Sequence, residues 1–173
     1  MQRFFLLASI LLIFSGLGFS QSSLSISGVL SAPSGSDKGN IGTGAGGTIE
    51  LNVPVTDLVQ VSAMLGYIAY NAKSGSIIVL DKTPFLVGAK YFVLLPSVSI
   101  YGEGDLGLDM LTDVTSSENH FDWGVGAGAL YPLFGSNNLD FSVKYCGVKF
   151  SGSKLISRPS RMVNISLGLN FGL

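Results

Sequence analysis

From Ser23 onward the chain alternates apolar and polar residues with a period of two, and no stretch carries a good helical repeat. Successive side chains of a strand point to opposite faces, so this alternation predicts β-strands with one apolar face each. Eight segments carry it. In the first, Leu24, Ile26 and Leu30 alternate with Ser23, Ser25 and Ser27. In the second, Ile49, Leu51 and Val53 alternate with Thr48, Glu50 and Asn52. The third sets Val59, Val61, Ala63, Leu65 and Tyr67 against Gln60, Ser62, Met64 and Gly66. The fourth has Phe85, Val87, Ala89, Tyr91 and Val93 on one parity, with Gly88 and Lys90 on the other. In the fifth, Val98, Ile100, Leu106, Leu108 and Met110 oppose Tyr101, Glu103, Asp105 and Asp109. The sixth places Phe121, Trp123, Val125, Ala127, Ala129 and Tyr131 against His120, Asp122, Gly124, Gly126 and Gly128. The seventh places Leu139, Phe141, Val143 and Tyr145 against Asp140, Ser142, Lys144 and Cys146. The last places Val163, Ile165, Leu167, Leu169, Phe171 and Leu173 against Asn164, Ser166, Gly168, Asn170 and Gly172.

The connections predict an up-and-down order. Pro54 to Asp57, Leu94 to Pro96 and Phe134 to Asn138 read as short turns, punctuated by Pro, Asn and Gly. Ser31 to Gly42, Thr112 to Asn119 and Ser151 to Ser160 read as longer polar loops, and Asn71 to Ser76 as a shorter one. This puts both ends of the strand region on the short-turn side.

Period-two strands suit two solvents. In a soluble barrel the apolar parity points inward; in a membrane barrel it meets lipid and the polar parity fills the lumen. Composition separates the two. Only 12% of the 173 residues are charged, against about 25% in ordinary soluble domains, while 47% are apolar and 23 are glycine. No Asp, Glu, Lys or Arg occupies a central apolar-parity position in any segment. The polar parity is mostly Ser, Gly, Asn and Thr, as a narrow interior requires. Aromatics fall in two bands: Tyr91, Tyr131, Phe141 and Phe171 near the short turns, and Tyr67, Phe85, Phe121 and Trp123 near the long loops. Two such bands are expected where rings sit at the two headgroup levels. Eight is also a common number of strands for a closed barrel, and only closed sheets satisfy every backbone group in hydrocarbon.

The N-terminus reads as an address. Arg3, an apolar run from Phe4 to Phe14, and small residues Gly18 and Ser20 follow the order of a secretory signal peptide. Cleavage is expected before Gln21, giving a leader over 1–20 and a barrel domain over 21–173. Losing Arg3 leaves 9 basic against 11 acidic residues, a net charge of −2. That charge gives no nucleic-acid footprint. One cysteine and one histidine exclude a disulfide framework and a His-rich or Cys-rich metal site.

Three stretches resemble the small outer-membrane β-barrel family of Gram-negative bacteria, which includes the OmpX-like and OmpA-like eight-stranded barrels. They are Thr83-Pro-Phe-Leu-Val-Gly-Ala-Lys-Tyr-Phe-Val93, Tyr101-Gly-Glu-Gly-Asp-Leu-Gly-Leu108 and Phe121-Asp-Trp-Gly-Val-Gly-Ala-Gly128. The resemblance spans 21–173 and implies an all-β, eight-stranded antiparallel transmembrane barrel in the bacterial outer membrane. The chain is expected to end with the barrel, without the peptidoglycan-binding domain of the OmpA type, and so to be nearer the OmpX-like end. The C-terminal run Ser166 to Leu173 is similar to the strand signal read by the barrel-assembly machinery, although Leu173 replaces the usual Phe. The other partners implied are outer-membrane lipid and lipopolysaccharide, with the chain a monomer.

Few residues suggest chemistry. Glu50, Lys90, Glu103, Asp105, Asp109 and Lys144 fall on the lumen parity and are expected to form an internal polar network, because desolvated charges must pair. Lys90 is expected beside Glu103 or Glu50. Lys154, Arg158 and Arg161 cluster around the last loop, where lipopolysaccharide phosphates could be met. His120-Phe-Asp122 does not reproduce the His-x-Ser spacing associated with outer-membrane lipid deacylases, so His120 reads as a residue of the loop rim. Cys146 reads as a buried, inert thiol. Gly42 to Gly47 lacks the Lys-Ser/Thr of a phosphate loop. No catalytic, cofactor or metal residue is assigned. The leading expectation is a non-enzymatic barrel with a structural or adhesive role carried by its loops. The rivals are an outer-membrane lipid-modifying enzyme and a secreted soluble barrel that binds a small apolar ligand and turns its apolar parity inward.

Overall fold

In the computed structural model, residues 22–34, 41–72, 80–112, 117–149 and 160–173 are described. Eight strands run in chain order: β1 (Ser23–Pro33), β2 (Ile41–Pro54), β3 (Val59–Ala72), β4 (Leu80–Leu94), β5 (Ser99–Thr112), β6 (Ser117–Pro132), β7 (Asn137–Lys149) and β8 (Ser160–Gly172). Each pairs antiparallel with its sequence neighbour, and β8 pairs with β1 from Ser23↔Gly172 to Pro33↔Met162. The sheet is therefore a closed barrel without a free edge.

The apolar parity faces outward. Ile26, Leu65, Val87, Leu106, Val125, Phe141 and Leu167 are all exposed, Leu106 at 56%. This excludes the soluble, inward-apolar alternative, which requires the opposite orientation. The alternation is therefore that of a barrel whose outer surface is the hydrophobic one. On β6 the outward rings of Phe121 and Trp123 lie toward the loop end and Tyr131 lies at the short-turn end. At a rise of about 3.4 Å per residue and a tilt of about 40°, Phe121 and Tyr131 stand roughly 25 Å apart along the barrel axis, the height of a bilayer-spanning apolar band.

The short turns close through local chemistry. After β2, the Thr56 hydroxyl accepts hydrogen bonds from the Leu58 and Val59 amides at 3.3 and 3.0 Å. Between β6 and β7, Gly135 takes a left-handed φ of +62°, a conformation that costs glycine little.

Several strands run further than the alternation indicated. Ser31 to Pro33 belong to β1, Ile41 and Gly42 to β2, Ser117 to Asn119 to β6, and Ser160 to β8. The remainders of those loops, 35–40, 113–116 and 150–159, lie outside the described residues, as does 73–79. The strand β4 starts at Leu80, five residues before the expected Phe85. Asp81-Lys82-Thr83-Pro84 therefore belongs to the strand. Pro84 has no N–H to give to a ladder, and the β3–β4 register runs to Leu65↔Phe85, then resumes at Ile68↔Lys82.

Candidate functional site: the barrel interior

The lumen is filled by the polar parity and by a few large side chains. Toward the loop end, Val29, Ile68, Tyr70, Leu111 and Met162 form an apolar cluster. The Tyr70 hydroxyl lies 2.7 Å from Ser31 Oγ and donates to Met162 Sδ at 2.8 Å. Toward the short turns, Asn170 donates to Ser23 Oγ and Ser25 Oγ at 2.8 and 2.9 Å, and Asn52 donates to Ser25 Oγ at 3.2 Å.

Between these layers lie the charges. Glu50, Lys90, Glu103, Asp105, Asp109 and Lys144 are all buried inside the barrel. Three further ions join them: Lys82, Asp122 and Asp140. Asp122 and Asp140 stood on the polar parity, while Lys82 lies before Phe85, where the alternation begins in the sequence. Lys82 is 1% exposed and binds Asp109 at 2.6 Å and Asp122 at 2.8 Å. Lys90 binds Glu50 at 2.8 Å. Lys144 binds Asp105 at 2.5 Å and Glu103 at 3.3 Å. Tyr101 donates to Asp140 at 2.7 Å, and the Lys90 ammonium lies 5.0 Å from the centre of the Tyr101 ring.

Most of these links skip a strand. Lys90–Glu50 joins β4 to β2, Lys82–Asp122 joins β4 to β6, and both Lys144 pairs and Tyr101–Asp140 join β5 to β7. Glu103, directly opposite Lys90 in register, goes instead to Lys144. The narrow lumen makes this possible because a lysine side chain is long enough to cross it, although Lys82 also holds Asp109 on the adjacent β5 at 2.6 Å. These contacts tie strands that share no backbone hydrogen bonds.

Glycines make the space. A Cβ on Gly128 would lie 2.4 Å from the Tyr101 ring, and one on Gly44 would lie 2.7 Å from that of Tyr70. The run Gly42 to Gly47 is therefore part of β2, and its inward glycine Gly44 seats an aromatic ring.

Two expectations concerned single residues. Cys146 is a free, buried thiol facing the lumen, and Asn164 Nδ2 donates to its sulfur at 3.4 Å. His120 lies near the loop end of β6, where it is buried at 6% exposure, and its Nε2 lies 3.2 Å from Glu118 Oε2. It shares the inward parity with Asp122 and is in register with Asp109. Arg161 is exposed at the loop end of β8. Lys154 and Arg158 lie outside the described residues. No group of three His, Cys, Asp or Glu side chains arranged to hold a metal ion occurs among the described residues.

A cavity of about 40 Å³ remains inside, bordered by Glu50, Glu103, Asp122, Lys144 and Asn164 among others. The layers above and below it are packed side chains, as expected of an eight-stranded barrel.

No protein-family model matches the chain, and no curated protein matches it in sequence. Solved structures do. Neisserial surface protein A aligns over 88% of this chain and 97% of its own at 17% identity, with a TM-score of 0.71. The attachment invasion locus protein Ail of Yersinia pestis covers 89% and 99% at 18% identity, TM-score 0.55. The outer membrane protein OprG from Pseudomonas aeruginosa covers 89% and 96% at 9% identity, TM-score 0.58. With its closed eight-stranded sheet, outward apolar face and ion-paired interior, the chain has the fold of the small bacterial outer-membrane β-barrels.

Proposed function

We propose that this chain is a non-enzymatic outer-membrane protein whose barrel is a rigid scaffold and whose loops carry a surface-interaction or adhesive role. The observation that carries this reading is the division of the barrel wall. Its outside is apolar and suited to lipid, and its inside is packed and ion-paired. The contacts described inside the wall tie strands together, and the loops are the part of such a scaffold free to vary. A lipid-modifying enzyme needs its base where lipid can reach it, whereas His120 and Cys146 face inward, away from the hydrocarbon. The attachment invasion locus protein shares the fold, which makes attachment compatible with this scaffold.

The proposal includes export by the leader over 1–20, with cleavage before Gln21, and assembly from the C-terminal strand by the barrel-assembly machinery. It also includes a monomeric state in outer-membrane lipid. Lys154, Arg158 and Arg161 are assigned to the phosphates of lipopolysaccharide, which cations at that level would meet as charge-assisted partners.

The test has two parts. The expressed chain is expected in the outer-membrane fraction, migrating faster on a gel before boiling than after it. Recovery as a soluble protein without detergent would defeat the location. Replacing 35–40, 113–116 and 150–159 by short Gly-Ser turns should then leave the heat-shifted band intact and abolish adhesion of bacteria displaying the protein. Unchanged adhesion by a correctly inserted, loop-less barrel would defeat the loop-borne role.

A further inference from the structure

The two ends of the barrel are finished differently. At the loop end the outward parity turns polar one step past the apolar band: Thr83 lies beyond Phe85, Asn119 beyond Phe121 and Arg161 beyond Val163. At the short-turn end it does not. Beyond Tyr91 and Tyr131 the turns expose Val55, Leu58, Leu94, Leu95, Leu133 and Phe134, the last at 74%. Asp57 is the only Asp, Glu, Lys or Arg across 55–58, 95–98 and 133–136. Turns are usually built from Gly, Pro, Asn, Asp and Ser, and clustered exposed apolar side chains mark a contact surface.

These side chains continue the lipid-facing wall. Val55, Leu95, Leu133 and Leu173 fall in step with the outward parity of β2, β4, β6 and β8. The amides of all four are already hydrogen-bonded. Val55 donates to the Val59 carbonyl at 2.8 Å, Leu95 to that of Val98 and Leu133 to that of Asn137 at 3.0 Å, and Leu173 to that of Ser22 at 2.8 Å. A bonded amide leaves water without the penalty of a bare one. Depth selects the occupant. At about 2.6 Å of axial rise per residue, Leu133 stands roughly 5 Å beyond Tyr131, and the apolar band from Phe121 to Leu133 is about 30 Å tall. That matches the hydrocarbon core of a typical bilayer, which carries an interfacial layer of about 5–8 Å on each side. The turns therefore end within that layer, short of the water where a soluble partner would meet them.

On the membrane location argued above, we propose that the short-turn end is a lipid-binding surface. Its apolar turn side chains insert among the headgroups and upper acyl carbons of phospholipid in the leaflet they face. The barrel is then held at one end by apolar turns and at the other by a polar collar. Together they set its height in the bilayer and keep the loop end clear of it.

Tryptophans placed at the turns test this. Phe134→Trp and Leu95→Trp, each in a Trp123→Phe background, are folded into phosphatidylcholine vesicles. Trp123 of the parent chain, on the outward face of β6, is the control for insertion. Phosphatidylcholine brominated near the headgroup should quench either turn tryptophan to within about twofold of Trp123. Iodide present on both sides of the membrane should quench them weakly. Strong quenching by iodide with weak quenching by brominated lipid overturns the proposal. Weak quenching by both overturns it too, since the turns then pack against protein, as in a second copy of the chain. If brominated lipid leaves Trp123 itself unquenched, the membrane location falls and this surface with it. The second measurement is urea unfolding from the same vesicles. Val55→Ser, Leu95→Ser and Phe134→Ser together should lower the folded-to-unfolded ratio at least about tenfold. Exposed side chains on water-facing turns would not give a change of that size. An unchanged ratio overturns the proposal.

Discussion

Lys82 is the interior ion whose loss should be felt most. Its ammonium is 1% exposed and holds two carboxylates, Asp109 at 2.6 Å and Asp122 at 2.8 Å, each fully buried. Lys82→Met keeps the length of the side chain and removes its charge. Two buried carboxylates are then left facing each other without a cation. Removing one partner of a buried ion pair costs about 3–5 kcal/mol, because the remaining charge stays desolvated. A second stranded carboxylate puts this case at the upper end. With a urea slope of about 1–3 kcal/mol/M, 3 kcal/mol alone lowers the unfolding midpoint by at least about 1 M. The assay is urea unfolding of the barrel in detergent micelles, followed through the emission of Trp123, the single tryptophan. The decisive companion is Lys82→Met with Asp109→Asn and Asp122→Asn together. Neutralising the whole triad removes the stranded charge and should recover more than half of the lost stability. A Lys82→Met barrel within about 1 kcal/mol of the parent would refute the reasoning, which sets the cost of a broken buried pair at several times that. A triple variant no better than the single one would refute it as well.

Other outcomes follow from other parts of the wall. Gly128→Val should destabilise by about 1–3 kcal/mol through overpacking, since a Cβ there lies 2.4 Å from the Tyr101 ring; Tyr101→Leu in the same chain should relieve part of it, as read by the temperature at which the fast-migrating band is lost. Leu106→Arg, at mid-strand on the apolar face, should cost about 2–4 kcal/mol in a bilayer, while Asp57→Arg on an exposed turn should stay within about 0.5 kcal/mol; equal effects would contradict the lipid assignment. Cys146, 2% exposed in the lumen, should resist a water-soluble thiol reagent in the folded barrel and react fully in urea.

Much of this wall could be read from the residues because lipid imposes one rule on every strand. A single one-residue slip would put Leu106, Val125 or Ile165 into the lumen and a Ser or Gly into hydrocarbon, so the alternation is repeated eight times without ambiguity. Strand ends were less legible. Asp81-Lys82-Thr83-Pro84 carries turn-like residues, and only the closed barrel shows that Lys82 points inward with a proline two residues later. Ser117 to Asn119 read as loop because polar residues say little about whether the chain is paired.

The interior was legible by residue and not by contact. Parity alone identified Glu50, Lys90, Glu103, Asp105, Asp109 and Lys144 as inward. The expectation for Lys90 weighed Glu103, which sits opposite it, and Glu50, two strands away. The structure takes Glu50, because the distance across a narrow barrel is set by its curvature and not by local spacing. For the same reason the joining of Lys82 to Asp122, and of Tyr101 to Asp140, has no signature in the sequence. The burial of His120 depended on a different fact, that β6 extends beyond it to Ser117.

The central claim is that the odd-numbered face of β6 lies in lipid and the even-numbered face in the lumen. Single cysteines at 121 to 128, in a Cys146→Ser background, can carry spin labels in a reconstituted bilayer. Their collision rates with oxygen, which concentrates in hydrocarbon, and with a polar nickel chelate, which stays in water, report the solvent of each position. The account predicts high oxygen and low nickel accessibility at Phe121, Trp123, Val125 and Ala127, with both low at Asp122, Gly124, Gly126 and Gly128. High nickel accessibility along the odd positions, or a pattern without a period of two, would contradict it.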